Sequence, residues 1–159
     1  PLGYMVEMTY NMIKTNAQFD FITSELTEII DQTTAFIIVD DLDHLVKGGR
    51  LSNGAAMIGN LLNIKPILRF DEEGKIVVYE KIRPSKKAFK RLYKILAENT
   101  KDRDYKVYVI HSNIPEKAHE VAEELTSKGF DVSIASFGAV IGTHLGEGAL
   151  GFGMSPKLK

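Results

Sequence analysis

Pro66-Ile67-Leu68-Arg69-Phe70, then Asp71-Glu72-Glu73-Gly74, then Lys75-Ile76-Val77-Val78-Tyr79-Glu80-Lys81-Ile82-Arg83 is the clearest structural signal in the chain. Two runs rich in β-branched and aromatic residues flank a short polar turn ending in glycine, which predicts a β-hairpin. Upstream, Thr34-Ala35-Phe36-Ile37-Ile38-Val39 is a continuous apolar run of strand length, as expected of a buried strand. Downstream, residues 105–111 and 130–136 read as two further strands, and the Gly-rich apolar segment 137–154 as a loop or short helix followed by a last strand.

Helical spacing fills the intervals. Residues 4–14 carry Tyr4, Met5, Met8 and Met12, and residues 17–32 carry Phe19, Ile22, Leu26, Ile29 and Ile30. A short helix from Leu42 to Val46 stops at Gly48-Gly49, and Asn53 can cap another over 54–62. Pro84-Ser85 opens a helix through Ala97 with Phe89, Leu92, Tyr93 and Leu96 inward; Pro115 opens one with Ala118, Val121, Ala122 and Leu125 inward. The fold class this predicts is mixed α/β (α+β), a two-layer sandwich of helices on a largely antiparallel or mixed sheet. The two leading helices precede the first strand. Residues 1–33 are therefore expected to be a helical remnant of a neighbouring domain or linker, with 34–159 as the main domain. Pro1 as first residue fits a chain that begins earlier in the natural protein.

Composition narrows the function classes. The 159 residues are 44% hydrophobic, carry a formal net charge of −1 and include no cysteine. Such a chain has enough apolar residues for a core, no basic excess for nucleic acid, and no thiol for a disulfide, a zinc site or nucleophilic attack. Absence of cysteine fits a cytoplasmic location. No metal pattern arises from His44, His111 and His119, nor a Walker loop, a GxGxxG or a nucleophile elbow, so no cofactor is expected.

Three constellations can carry chemistry. In Lys47-Gly48-Gly49-Arg50-Leu51-Ser52 the paired glycines let the backbone turn sharply, and Arg50 can hold a carboxylate or phosphate in a bidentate pair; a helix C-cap followed by a surface arginine accounts for the same residues. In Gly142-Thr143-His144-Leu145-Gly146-Glu147-Gly148 the glycines keep bulk away from an imidazole that can bond an anionic head group; a Gly-rich turn with an exposed histidine is the plainer account. Lys81, Arg83, Lys86, Lys87, Lys90, Arg91 and Lys94 form a basic stripe that suits an acidic partner or a solvated face. Arg83, off the helix, is expected to point toward the pocket of Arg50.

In order and spacing, Asp40-Asp41-Leu42-Asp43-His44-Leu45-Val46-Lys47-Gly48-Gly49-Arg50-Leu51-Ser52, Ile58 to Leu68, Lys81-Ile82-Arg83 and Ile141-Gly142-Thr143-His144-Leu145-Gly146 resemble the DegV family across essentially the whole chain. The resemblance implies a DegV carboxyl-terminal domain. It further implies a two-domain protein that buries a long-chain fatty acid between its domains and, in the FakB type, presents the carboxylate to a separate ATP-dependent fatty acid kinase, without being an enzyme itself. Arg50, Arg83 and His144 would then lie at the head-group or kinase-facing end, with Gly48, Gly49, Ser52, Gly142, Thr143 and Gly146 supporting the loops. Ile58, Leu61, Leu62, Ile64, Ile67, Val140 and Ile141 would line the acyl tunnel. The family's Thr-Ser-x-Pro-Ser and Ser-Gly-Thr motifs do not occur here, and Glu147 stands where proline is usual. Transient membrane-surface contact and self-association through exposed cleft surface are further expectations. Two other readings stay open: an enzyme of phosphoryl or carbonyl chemistry using His144, related to a dihydroxyacetone-kinase domain whose histidine binds its substrate covalently, and a nucleic-acid module using the lysine-rich helix.

Overall fold

A computed structural model describes residues 1–40, 42–51, 64–83, 87–101 and 103–158. The elements are α1 (Leu2–Lys14), α2 (Phe19–Gln32), β1 (Thr34–Ile38), α3 (Asp43–Lys47), β2 (Lys65–Phe70), β3 (Ile76–Ile82), α4 (Ala88–Asn99), β4 (Tyr105–His111), α5 (Pro115–Ser127), β5 (Asp131–Ser136), α6 (Ala139–Leu145) and β6 (Leu150–Pro156). The helix expected over 54–62, its Asn53 cap and the Pro84-Ser85 helix start lie outside the described residues. So do Ser52, Ile58, Leu61 and Leu62.

The strands form one sheet in the order β3-β2-β1-β6-β4-β5. All neighbours are antiparallel except β4 and β5, which are parallel and joined through α5. The hairpin forms as the sequence predicts. The Asp71 carboxylate accepts hydrogen bonds from the backbone N–H of Glu73 and Lys75, and Gly74 takes a φ of 75°. A register shift at Ile67/Leu68 marks a bulge in the β2–β3 pair.

Strand alternation splits the apolar residues between two faces. Phe36, Ile38, Ile67, Val107, Val109, Leu150, Phe152 and Met154 point to one side, where they meet Ala88, Leu92, Ile95 and Leu96 of α4 and Ala118, Val121, Ala122 and Leu125 of α5. Each of the larger side chains buried here contributes roughly 1.5–3 kcal/mol relative to exposure. This is the main core, and Phe89 and Tyr93 pack on its margin.

The other face is covered unevenly. Near the β1–α3 junction, Ile37, Val39 and Leu68 pack with Leu42, Leu45, Leu51 and Leu145. Near the far end α1 and α2 attach to the sheet: Thr33 Oγ1 donates to Ser155 Oγ, Arg103 pairs with Glu28, and the Tyr4 and Tyr108 rings lie 6.1 Å apart. The sequence puts five apolar residues of α2 on one inner face, but only Ile22 and Ile29 are buried, and Phe19 and Ile30 are exposed.

Candidate ligand-binding site

Between these two covered ends the second face forms an apolar trough. Its floor crosses four adjacent strands: Ala35 and Ile37 of β1, Gly151 and Gly153 of β6, Ile110 of β4 and Ala135 of β5. The pairing places Ala35 beside Gly153, Ile37 and Ile110 on either side of Gly151, and Ala135 beside Ile110. In β6, large apolar residues therefore fill the helix-side core while the alternate positions Gly151 and Gly153 have no side chain. That asymmetry leaves a cavity of about 800 Å³, within the range of small-molecule sites. Phe137 leans over the floor: a Cβ added to Gly151 would lie 2.6 Å from its Cζ.

Arg50 comes from the C-terminal turn of α3. There Gly49 takes φ 63°, its N–H bonds the Val46 carbonyl oxygen, and the Arg50 N–H bonds that of Leu45. This is a Schellman termination, so the glycine is needed for its left-handed conformation. The helix cap and the arginine placement, alternative accounts of the sequence, are one structure. His144 comes from the last turn of α6, whose end is set by Gly146 at φ 77°. Arg50 and His144 line the same cavity, with Val140, Ile141 and Leu145 of α6, Gly49, and Phe70, Lys75 and Ile76 of the hairpin.

The electrostatics of the lining are one-sided. Its charged or ionisable side chains are Arg50, Lys75 and His144, and no carboxylate lines it among the described residues. Lys75 is paired with Glu73. Arg50 and His144 form no ion pair or side-chain hydrogen bond among the described residues. Glu147 is directed elsewhere: its Oε1 accepts a hydrogen bond of 2.8 Å from Asn113 Nδ2. At the α1 end, burial pushes the phenol pKa values of Tyr4 and Tyr108 upward.

Several sequence-derived candidates lie elsewhere. Arg83 is exposed just beyond β3 and does not line the cavity. Leu51 bridges to Ile76 at the start of β3, and Arg83 follows seven residues later, a separation of roughly 20 Å along an extended strand. Ile67 belongs to the helix-side core, and half-buried Ile64 precedes β2 outside the cavity lining. Gly48, Gly142, Thr143 and Gly146, expected as loop supports, do not line the cavity: Gly142 and Thr143 lie within α6, and Gly48 and Gly146 end α3 and α6. The glycine floor, Ala35, Ala135 and Phe137 were not singled out from sequence. The available signal was the alternation Leu150-Gly151-Phe152-Gly153-Met154, which a strand converts into one full face and one empty face.

The fold and the cavity define a mixed α/β domain with a concave apolar site edged by basic groups. The chain belongs to the DegV family: residues 1–157 match the profile described as an uncharacterised protein of that family. A DegV domain-containing protein of Streptococcus pyogenes serotype M1 is 56% identical over 160 residues, covering 99% of this chain and 57% of that protein. A crystal structure described as a fatty acid binding DegV family protein from Streptococcus agalactiae superposes with a TM-score of 0.91 at 51% identity, covering 99% of this chain and 56% of the other. DegV from Bacillus subtilis, described as a fatty acid binding protein, gives 0.82 at 44% identity, with 98% and 56% covered. The chain thus spans little more than half the length of these relatives. No described helix is long and apolar enough to cross a membrane.

Proposed function

We propose that this chain forms one wall of a long-chain fatty-acid site, with the acyl tail along the glycine–alanine floor and the carboxylate toward Arg50 and His144. The observation that carries the reading is a largely apolar trough whose lining carries Arg50 and His144, two basic side chains with no ion pair among the described residues. The same relationship to fatty-acid-binding relatives at 51% and 44% identity supports it. Each buried CH₂ contributes roughly 0.8 kcal/mol, so a ~16-carbon tail gains on the order of 12 kcal/mol before the cost of association. A buried carboxylate needs partners, and a guanidinium and an imidazole meet that need.

In this reading residues 34–159 are the lipid-binding domain, and 1–33, docked on its sheet through α1 and α2, are the helical segment that joins it to the remainder of a longer protein. The carrier does not catalyse; it holds the head group at an open rim for a separate ATP-dependent fatty acid kinase that forms the acyl phosphate. The test begins with the full-length protein that contains this chain, extracted with organic solvent for mass spectrometry. A co-purifying long-chain acid is expected, and its absence, together with no binding in titration, rejects the reading. Arg50→Ala should weaken binding about tenfold or more, the scale of a lost hydrogen bond to a charged group. In a reconstituted assay with the kinase and ATP, acyl phosphate should form only when the carrier is present; activity of the carrier alone would return the enzyme reading.

A further inference from the structure

Two histidines and two glycines interlock where α3 meets α6. A Cβ on Gly48 would lie 2.6 Å from His144 Nδ1 and 3.3 Å from its Cε1, so the His144 ring rests against the Gly48 backbone. Reciprocally, a Cβ on Gly146 would lie 2.6 Å from His44 Cδ2 and 3.2 Å from both Cγ and Nε2, so the His44 ring rests against Gly146. Gly48 lies two residues before Arg50, and Gly146 two residues after His144. Gly48 has φ −77° and ψ −1°, a conformation open to any residue. Its lack of a side chain is thus explained by close approach and not by its backbone conformation: His144 comes nearest, and the His44 carbonyl oxygen lies 3.0 Å from the same Cβ position. A third contact adds to the lock: a Cβ on Gly148 would lie 2.6 Å from Asp40 Oδ2, while Asp40 Oδ1 pairs with Lys65 at 2.5 Å.

We infer that His44 is a positioning residue for the anion site: its ring, seated on Gly146, fixes the end of α6 so that His144 rests on the Gly48 backbone beside the Arg50 turn. The functional consequence rests on the proposed head-group site, but the positioning itself is independent of ligand. His44 is not among the residues lining the cavity, so it acts through His144. The contact is made by a flat ring against a glycine face, and the imidazole forms no hydrogen bond among the described residues. A phenyl ring therefore replaces it and a methyl group does not.

The experiment compares His44→Ala and His44→Phe in the full-length protein. The first readout, taken without lipid, is the Gly48 amide and α-proton resonance, which the His144 ring shifts in the wild type. His44→Ala should move that resonance toward its ordinary position, and His44→Phe should restore it. The second readout is titration with a long-chain fatty acid. His44→Ala should weaken binding about fivefold to tenfold, the range of a misaligned charge-assisted hydrogen bond, with His44→Phe within about twofold of wild type. An unmoved Gly48 resonance in His44→Ala overturns the inference, as does a His44→Phe variant that behaves like His44→Ala. If the wild type binds no fatty acid, the head-group reading fails while the resonance comparison still decides whether His44 positions His144.

Discussion

On β6, Leu150, Phe152 and Met154 are buried in the helix-side core, while Gly151 and Gly153, one residue along, face the trough and fill none of it. On β1, Phe36 and Ile38 join the core, and Ala35 and Ile37 lie on the trough floor. The same strands thus build a close-packed face and an open one. Close packing gives stability and leaves no room for a guest. The trough face gives up burial for volume and keeps its basic groups on the elements at its edges. If this division is right, substitutions on the two faces should separate stability from binding.

Phe152→Ala tests the packed face and should show the largest effect. Phe152 is fully buried and meets Phe89 edge-on at a centroid distance of 6.5 Å. Truncation leaves a cavity and should cost about 3–5 kcal/mol in urea unfolding. Molecules that remain folded should bind fatty acid nearly as the wild type does. A large loss of affinity in the folded fraction would break the comparison.

Gly151→Val probes the open face. Valine suits a strand, but its side chain would project into the trough and displace the Phe137 ring, which already lies 2.6 Å from the ideal Cβ position. Fatty-acid affinity should fall at least tenfold, about 1.4 kcal/mol, with a stability change below about 1 kcal/mol. Equal losses in both measurements would mean that the floor is part of the core.

The adjacent glycines that end α3, Gly48 and Gly49, sharpen the contrast within one dipeptide. Gly49 has φ 63° and nothing within 4 Å of an added Cβ, so Gly49→Ala is strained by its backbone alone and should cost roughly 1 kcal/mol of stability. Gly48→Ala is conformationally acceptable but presses on His144, and should act mainly on binding. Denaturation and lipid titration on the pair of variants distinguish the two reasons for a glycine.

Legibility from sequence follows the same division. The hairpin, β4 at residues 105–111 and the inward faces of α4 and α5 were readable because their patterns are local: period two, period 3.6, and a turn ending in glycine. The trough was not. Gly151 and Gly153 mark a floor only once β1 and β4 lie on either side of β6, and those partners are remote in sequence. Ile67 and Leu68 are both fully buried, on opposite faces, so an apolar run could not say which residue faced a ligand. Arg83 was expected toward the Arg50 pocket because it ends a strand off the lysine-rich helix, yet the length of β3 separates them. The Arg50 and His144 motifs were legible as chemistry; their meeting at one cavity is tertiary information, and so is the seat of His44 on Gly146.

The smallest expected effect concerns how the trough face is fastened at the edge of the sheet. Asp131, the first residue of β5, is held by Lys106 of β4 at 2.6 Å and by Lys157 at 2.6 Å. Hydrogen bonds from these two ammonium groups lower the Asp131 pKa below the ordinary carboxylate value and raise that of Lys157. A depressed carboxyl pKa means the folded chain binds that proton more weakly than the unfolded chain does. The stabilisation from Asp131 is therefore complete above about pH 4 and disappears as pH falls through the folded value. The lysine's share runs the other way: it is complete below its unfolded value and lost as pH rises through the raised one. The carboxylate is 43% exposed, so solvent screening holds the gain under about 1 kcal/mol. Asp131→Asn should lower stability slightly at neutral pH and flatten the acid limb of the stability profile, and 1 M salt should shrink the difference from wild type. Since β5 contributes Ala135 to the floor, fatty-acid release on acidification should begin earlier in Asp131→Asn than in the wild type. Unchanged release with a flattened stability curve would show that the edge clamp serves the sheet as a whole and leaves the trough untouched.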